Sequence, residues 1–97
     1  MGTIITATLI LDLYLPGCGS LKEKRARLKP LLARLHREFN VSSAELDFND
    51  VWQSARIGCA MLGNDAVSLQ RALQGIIQWV ERYWPDVQIT ADQIVLH

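Results

Sequence analysis

The 97-residue chain is 49% hydrophobic and 21% charged with no formal net charge, a composition that excludes a disordered or fibrous protein and suits one globular domain spanning 1–97. No apolar run approaches the roughly 18 residues of a membrane-spanning helix, and the start Met1-Gly2-Thr3-Ile4-Ile5 lacks a basic leader and a small-residue cleavage site, so a cytoplasmic protein without membrane contact is expected. Cys18 and Cys59 stand far apart with no CxxC or Cys/His cluster, which points to free thiols rather than a disulfide framework or a zinc site.

From Ile4 to Tyr14 the residues alternate, with Ile5, Ala7, Leu9, Leu11 and Leu13 on one face and Thr6, Thr8, Ile10, Asp12 and Tyr14 on the other, the period of a strand. Pro16-Gly17-Cys18-Gly19 breaks the pattern, and Ser20-Leu21-Lys22-Glu23 reads as a capping box that starts a helix at Leu21. Leu21, Leu28, Leu32, Leu35 and Phe39 form its apolar stripe, and Asn40 suits a left-handed terminator. Pro30 lies inside this helix, nearly opposite the stripe, where a bend convex toward solvent is tolerable; one kinked helix is expected, a break there being the alternative.

Val41 to Asp47 carries a weaker strand pattern, with Ala44 and Leu46 opposite Ser43, Glu45 and Asp47. After the turn-rich Phe48-Asn49-Asp50, Trp52 to Leu62 alternates again, placing Ala55, Ile57, Cys59 and Met61 opposite Trp52, Ser54, Arg56, Gly58 and Ala60. Gly63-Asn64-Asp65 supplies a turn and an N-cap, and Ala66, Leu69, Leu73, Ile76, Ile77, Val80 and Trp84 follow helical spacing to about Tyr83, with Pro85 beyond. Val87 to Leu96 is the last strand. The order βαββαβ is that of a ferredoxin-like α+β sandwich, a four-stranded antiparallel sheet with two helices on one face.

Two helices leave one sheet face without cover. Ile10, Tyr14 and Trp52 among small residues there suit a second subunit, so a homo-oligomer, a dimer or larger, is expected. The rival use of such a face, base stacking by an RRM, lacks its aromatic run, the third strand reading Ser54-Ala55-Arg56-Ile57-Gly58-Cys59-Ala60.

The neutral total conceals a charge asymmetry. Residues 1–37 carry +5 and the remainder −5. Lys22, Arg25 and Lys29, spaced by three and four residues, line one side of the first helix, with Arg34 and Arg37 toward its end; such a row suits sequence-independent RNA or ribosome contact, with no DNA target indicated, while a merely solvated face is the competing reading. Gly17-Cys18-Gly19-Ser20-Leu21-Lys22 sets a glycine-rich turn before a helix N-terminus, with Lys22, Lys24 and Arg25 adding positive charge, so Gly19 and Ser20 are candidates for a phosphate ligand; the spacing is not that of a Walker loop. Acylphosphatases share the topology but need an Arg in this turn, and Leu15 to Ser20 contains none. No catalytic constellation is visible: Glu45, Asp47 and Asp50 cluster at a hairpin, and His36 and His97 lack partners, so neither catalytic residues nor a cofactor are assigned. Cys59 falls on the core face, whereas Cys18 reads as the more exposed thiol; Trp79 and Tyr83 read as packing at the edge of the core.

Leu15-Pro16-Gly17, Ser20-Leu21-Lys22-Glu23-Lys24-Arg25, Phe39-Asn40-Val41-Ser42, Ala44-Glu45, Asp50-Val51-Trp52-Gln53 and Asn64-Asp65 together resemble the YlxP-like family of small bacterial proteins nearly end to end. The resemblance implies a ferredoxin-like domain of unknown function, and because such proteins are often encoded beside translation and ribosome-maturation factors, it hints at RNA. It supplies no catalytic residues. The chain departs from the family pattern at Phe48, where a His is expected, and at Ser54, where an Arg is expected.

Overall fold

Period-two alternation builds the centre of the sheet. In the computed structural model, which describes residues 2–48 and 50–97, β1 (Ile5–Tyr14) buries Ala7, Leu9, Leu11 and Leu13 and turns Thr6, Thr8, Ile10, Asp12 and Tyr14 to the opposite face. There follow α1 (Leu21–Phe39), β2 (Ser42–Asp47), β3 (Ser54–Gly63), α2 (Ala66–Tyr83) and β4 (Gln88–Leu96). The strands form one antiparallel sheet in the order β2-β3-β1-β4. This is the ferredoxin-like βαββαβ arrangement expected from the element order.

The core is the layer between sheet and helices. Leu9, Leu11, Leu13, Ala55, Ile57 and Cys59 rise from β1 and β3 to meet Leu28, Leu31 and Leu35 of α1 and Leu69, Leu73, Ile76 and Val80 of α2, all buried. Each fully buried leucine or isoleucine contributes roughly 1.5–3 kcal/mol of transfer free energy.

Several local expectations change. The buried stripe of α1 is Lys24, Leu28, Leu31 and Leu35, while Leu21, Leu32 and Phe39 fall to its margins. The helix is thus rotated about its axis relative to the stripe read from its leucines. It stays continuous through Pro30, which lies on the exposed side, and Asn40 ends it in the left-handed region at φ 53°. β3 begins at Ser54 rather than Trp52, so Trp52 belongs to the preceding loop. Asn49, expected in that turn, and the initial Met1 lie outside the described residues. Cys18 is not the more exposed thiol: the Gly17 turn (φ +71°) folds the chain back so that Cys18 is buried like Cys59.

Gly75 sits inside α2 with nothing within 4 Å of where a Cβ would stand. Alanine there gains helix propensity without a clash, so Gly75→Ala should stabilise the protein by about 0.5–1 kcal/mol, read as a higher urea midpoint at unchanged slope; a destabilised variant would contradict the open surroundings of this position.

Candidate functional site

The turn before α1 is closed by its own side chains. Ser20 Oγ accepts from the Glu23 N–H at 3.0 Å, and the Glu23 carboxylate accepts from the Gly19 N–H at 2.6 Å. A carboxylate therefore stands where a phosphate would need the Gly19 and Ser20 turn, and Lys24, counted in sequence among the cations of that turn, points away from it into the core. The geometry gives the phosphate-ligand reading little to hold an anion with.

The seven cations of residues 1–37 divide into two groups. Lys24, Arg27 and Arg34 are engaged inside the molecule. Arg27 Nε donates to Asp86 Oδ2 at 2.9 Å and Nη1 to the Pro16 carbonyl at 2.9 Å, with Nη2 on the Asp86 carbonyl, clipping α1 to the segment after α2. Arg34 pairs with Glu38 at 3.2 Å and lies 5.6 Å from the centre of the Trp79 ring. Lys22, Arg25, Lys29 and Arg37 are exposed and, among the described residues, form no ion pair within the molecule. At 100° per residue, Lys22, Lys29 and Arg37 fall opposite the buried stripe and Arg25 on its flank, so these four make a continuous outward cationic row. Of the sequence candidates, only Arg34 leaves the row.

Lys24 is the residue that hydropathy could not place. Its side chain is 2% exposed; Nζ donates to the carbonyls of Phe48 and Val51, the latter at 2.8 Å, and lies 2.9 Å from Glu45 Oε2. The Glu45 contact is an ion pair without hydrogen-bond alignment. Two carbonyl acceptors and one carboxylate charge thus surround the ammonium, tying α1 to β2 and to the loop between β2 and β3. That loop is further held by Leu15 N–H to the Gln53 carbonyl at 2.9 Å, and it presents Val51 and Trp52 to solvent. The trace of this in the sequence is that Lys24 lies four residues before Leu28; the alternation of β2, with Ala44 and Leu46 as its apolar side, by itself turns Glu45 to solvent.

On the open sheet face, Asp12 and Arg56 lie opposite each other in register and form a two-pronged ion pair, Nε to Oδ1 at 2.7 Å and Nη2 to Oδ2 at 3.1 Å. The Arg56 hydrogen bond holds the Asp12 carboxyl below its usual pKa range, against a smaller opposing effect of burial. The guanidinium also lies 5.1 Å from the centre of the Phe48 ring. Around this pair stand Ile10, the 38%-exposed Tyr14 and Leu46, whose side chain covers Gly58 so closely that a Cβ there would meet Leu46 Cδ1 at 2.7 Å. A register shift between Glu45 and Asp47 turns Asp47 to the same side as Arg56. Ile10 and Tyr14 therefore lie on the open face as expected, while Trp52 stands in the loop beyond its edge. The remaining nucleophile candidates are poor: burial pushes the Cys59 thiol up to about 11, and Cys18 is enclosed.

Residues 6–94 match the family model described as "Protein of unknown function (DUF503)". The chain belongs to this family. An "Uncharacterized protein YlxP" of Bacillus subtilis (strain 168) is 38% identical over 72 residues, covering 74% of this chain and 77% of that protein. Among solved structures, the de novo designed protein Foldit4 superposes with a TM-score of 0.57 over 98% of this chain and 97% of that one, at 11% identity, a likeness of fold alone. Within this DUF503 member, Phe48, standing where a His is expected from the resemblance, adopts φ 63°, supplies a carbonyl to Lys24 and places its ring against Arg56. It thus joins the buried lysine on one side of the sheet to the ion pair on the other.

Lys24→Met keeps the volume and removes the charge, leaving Glu45 and two carbonyls without their partner. Because Glu45 keeps 25% side-chain exposure, the cost should fall near the lower end of breaking a buried pair, about 3 kcal/mol in urea unfolding. The Val51 amide, which donates to the Phe48 carbonyl at 3.0 Å, should lose hydrogen-exchange protection by more than the global loss alone produces. Unchanged stability and unchanged Val51 protection would remove Lys24 as the anchor of this loop.

Proposed function

We propose that this protein is a non-catalytic, self-associating binding module that engages RNA, ribosomal RNA included, through the outer face of α1. The observation that carries this reading is the division of the cations: the fold consumes Lys24, Arg27 and Arg34 internally and leaves Lys22, Arg25, Lys29 and Arg37 exposed on one helix side. Unpaired cations in a row at helical spacing match the repeating charge of a phosphate backbone, and displacing counterions from that backbone supplies the free energy. The cytoplasmic setting expected from sequence is compatible with it, and among the described residues no helix is long and apolar enough to cross a membrane.

Co-sedimentation with ribosomal subunits across a salt series tests this reading. Binding should weaken steeply with salt, each lost phosphate contact should lower the log–log slope by roughly one, and Lys22→Glu/Arg25→Glu/Lys29→Glu should abolish binding without unfolding the domain, since all three side chains are exposed. Equal sedimentation of wild type and triple variant, or none by wild type at low salt, would defeat the RNA reading.

Self-association is supported by the open face, where exposed Tyr14 and Leu46 border Ile10 and the internally neutral Asp12–Arg56 pair. Four strands about 4.8 Å apart, with strands of roughly 30 Å, offer an area on the order of 600 Å² in projection, near what each partner contributes to a standard interface. Light scattering should report a dimer for wild type, and Leu46→Glu, a change at a 50%-exposed side chain, should shift it to monomer. A wild type that stays monomeric at high concentration would refute the interface.

A further inference from the structure

Between α1 and the end of α2 lies a groove of about 320 Å³ lined by Ala26, Pro30, Tyr83, Trp84 and Pro85, with the paired Arg27 and Asp86 at its margin. This is within the lower range of small-ligand sites, roughly 300–1,000 Å³. We propose that it receives an unstacked base of single-stranded RNA, which would make the protein selective for single strands over duplex. The inference rests on the RNA reading above and adds to it the form of RNA recognised.

Three observations bear on the occupant. Tyr83 packs against Trp79 at the core edge, ring centres 5.9 Å apart, as their spacing suggests, yet it stays 57% exposed, and the Arg82 guanidinium lies 5.3 Å from its ring centre. An exposed ring supported by a guanidinium is a stacking platform. Second, Pro30 has no N–H, so the Ala26 carbonyl lacks its helical donor at a turn of α1 whose residues line the groove. Third, two cations of the row stand on the groove's side of α1, Lys22 four residues before Ala26 and Arg37 seven after Pro30, while Lys29 turns about 100° away from Pro30. Phosphates on that row place the adjoining base beside Tyr83. Duplex bases are stacked and paired, whereas single-stranded bases are free to enter. Arg27 and Asp86 neutralise each other, so the margin does not repel the backbone.

Fluorescence anisotropy with a short labelled oligouridylate and with an RNA duplex of equal phosphate number tests the proposal. Wild type should prefer the single strand. Tyr83→Ala should weaken single-strand binding by at least about fivefold, leave duplex binding and the salt slope unchanged, and be rescued by Tyr83→Phe, which keeps the ring. Ala26→Gln, neutral and on the exposed side of α1, should cause the same selective loss by filling the groove, and it decides the matter if Tyr83→Ala fails to fold. If Tyr83→Ala and Ala26→Gln bind oligouridylate like wild type while Lys22→Glu/Arg25→Glu/Lys29→Glu does not, the groove is overturned and the RNA reading stands. No binding by wild type at low salt overturns both.

Discussion

Taking an ammonium group out of water costs several kcal/mol unless acceptors surround it, and that requirement sets the rotation of α1. With Lys24 turned inward to the Phe48 and Val51 carbonyls and Glu45, Leu28, Leu31 and Leu35 are the side chains that follow it into the core. Lys22, Lys29 and Arg37 must then face outward. An apolar residue at position 24 could have settled against the sheet in several nearby rotations. A lysine with acceptors in fixed places permits far fewer, so one buried charge selects which cations the molecule displays.

The same pair explains the inverted polarity of β2. A short edge strand ordinarily turns its apolar residues inward, yet here Ser43 and Glu45 face the helices while Ala44 and Leu46 face away. Ser43 Oγ donates to the Leu32 carbonyl at 2.9 Å, and Glu45 meets Lys24. On the other side, Leu46 lies on Gly58, where the missing Cβ leaves room for it. β2 is therefore held from both faces, by polar contacts on the helix side and an apolar one on the open side. It extends the open face rather than ending in a frayed edge.

Elements whose burial follows from periodicity alone were legible in the sequence. β1 buries Ala7, Leu9, Leu11 and Leu13, and α2 buries Leu69, Leu73, Ile76 and Val80, as their spacing requires. Illegible were features that depend on partners far along the chain. Lys24 counts as a solvent residue in any hydropathy pattern until the carbonyls at 48 and 51 are brought to it. Cys18 is buried because a positive-φ glycine reverses the chain, and Trp52 leaves its strand because that loop is tied back to α1 and to Leu15. The cationic row was legible as a charge pattern, but its membership depended on intramolecular pairing: Arg34 is drawn off by Glu38 and Trp79.

The sheet order has a consequence for how the chain assembles. β1, made first, lies between β3 and β4 and pairs with nothing adjacent to it in sequence. Its ladder to β4 joins residues such as Leu9 and Ile94, and Thr6 and His97 exchange backbone hydrogen bonds at 3.2 and 2.8 Å. During synthesis the central strand must wait with one hydrogen-bonding edge open until residues 88–96 have emerged, after both helices. Loop-closure entropy delays such remote pairings, so this fold closes late, and a nascent chain paused before β4 exposes an apolar strand edge able to pair with another chain.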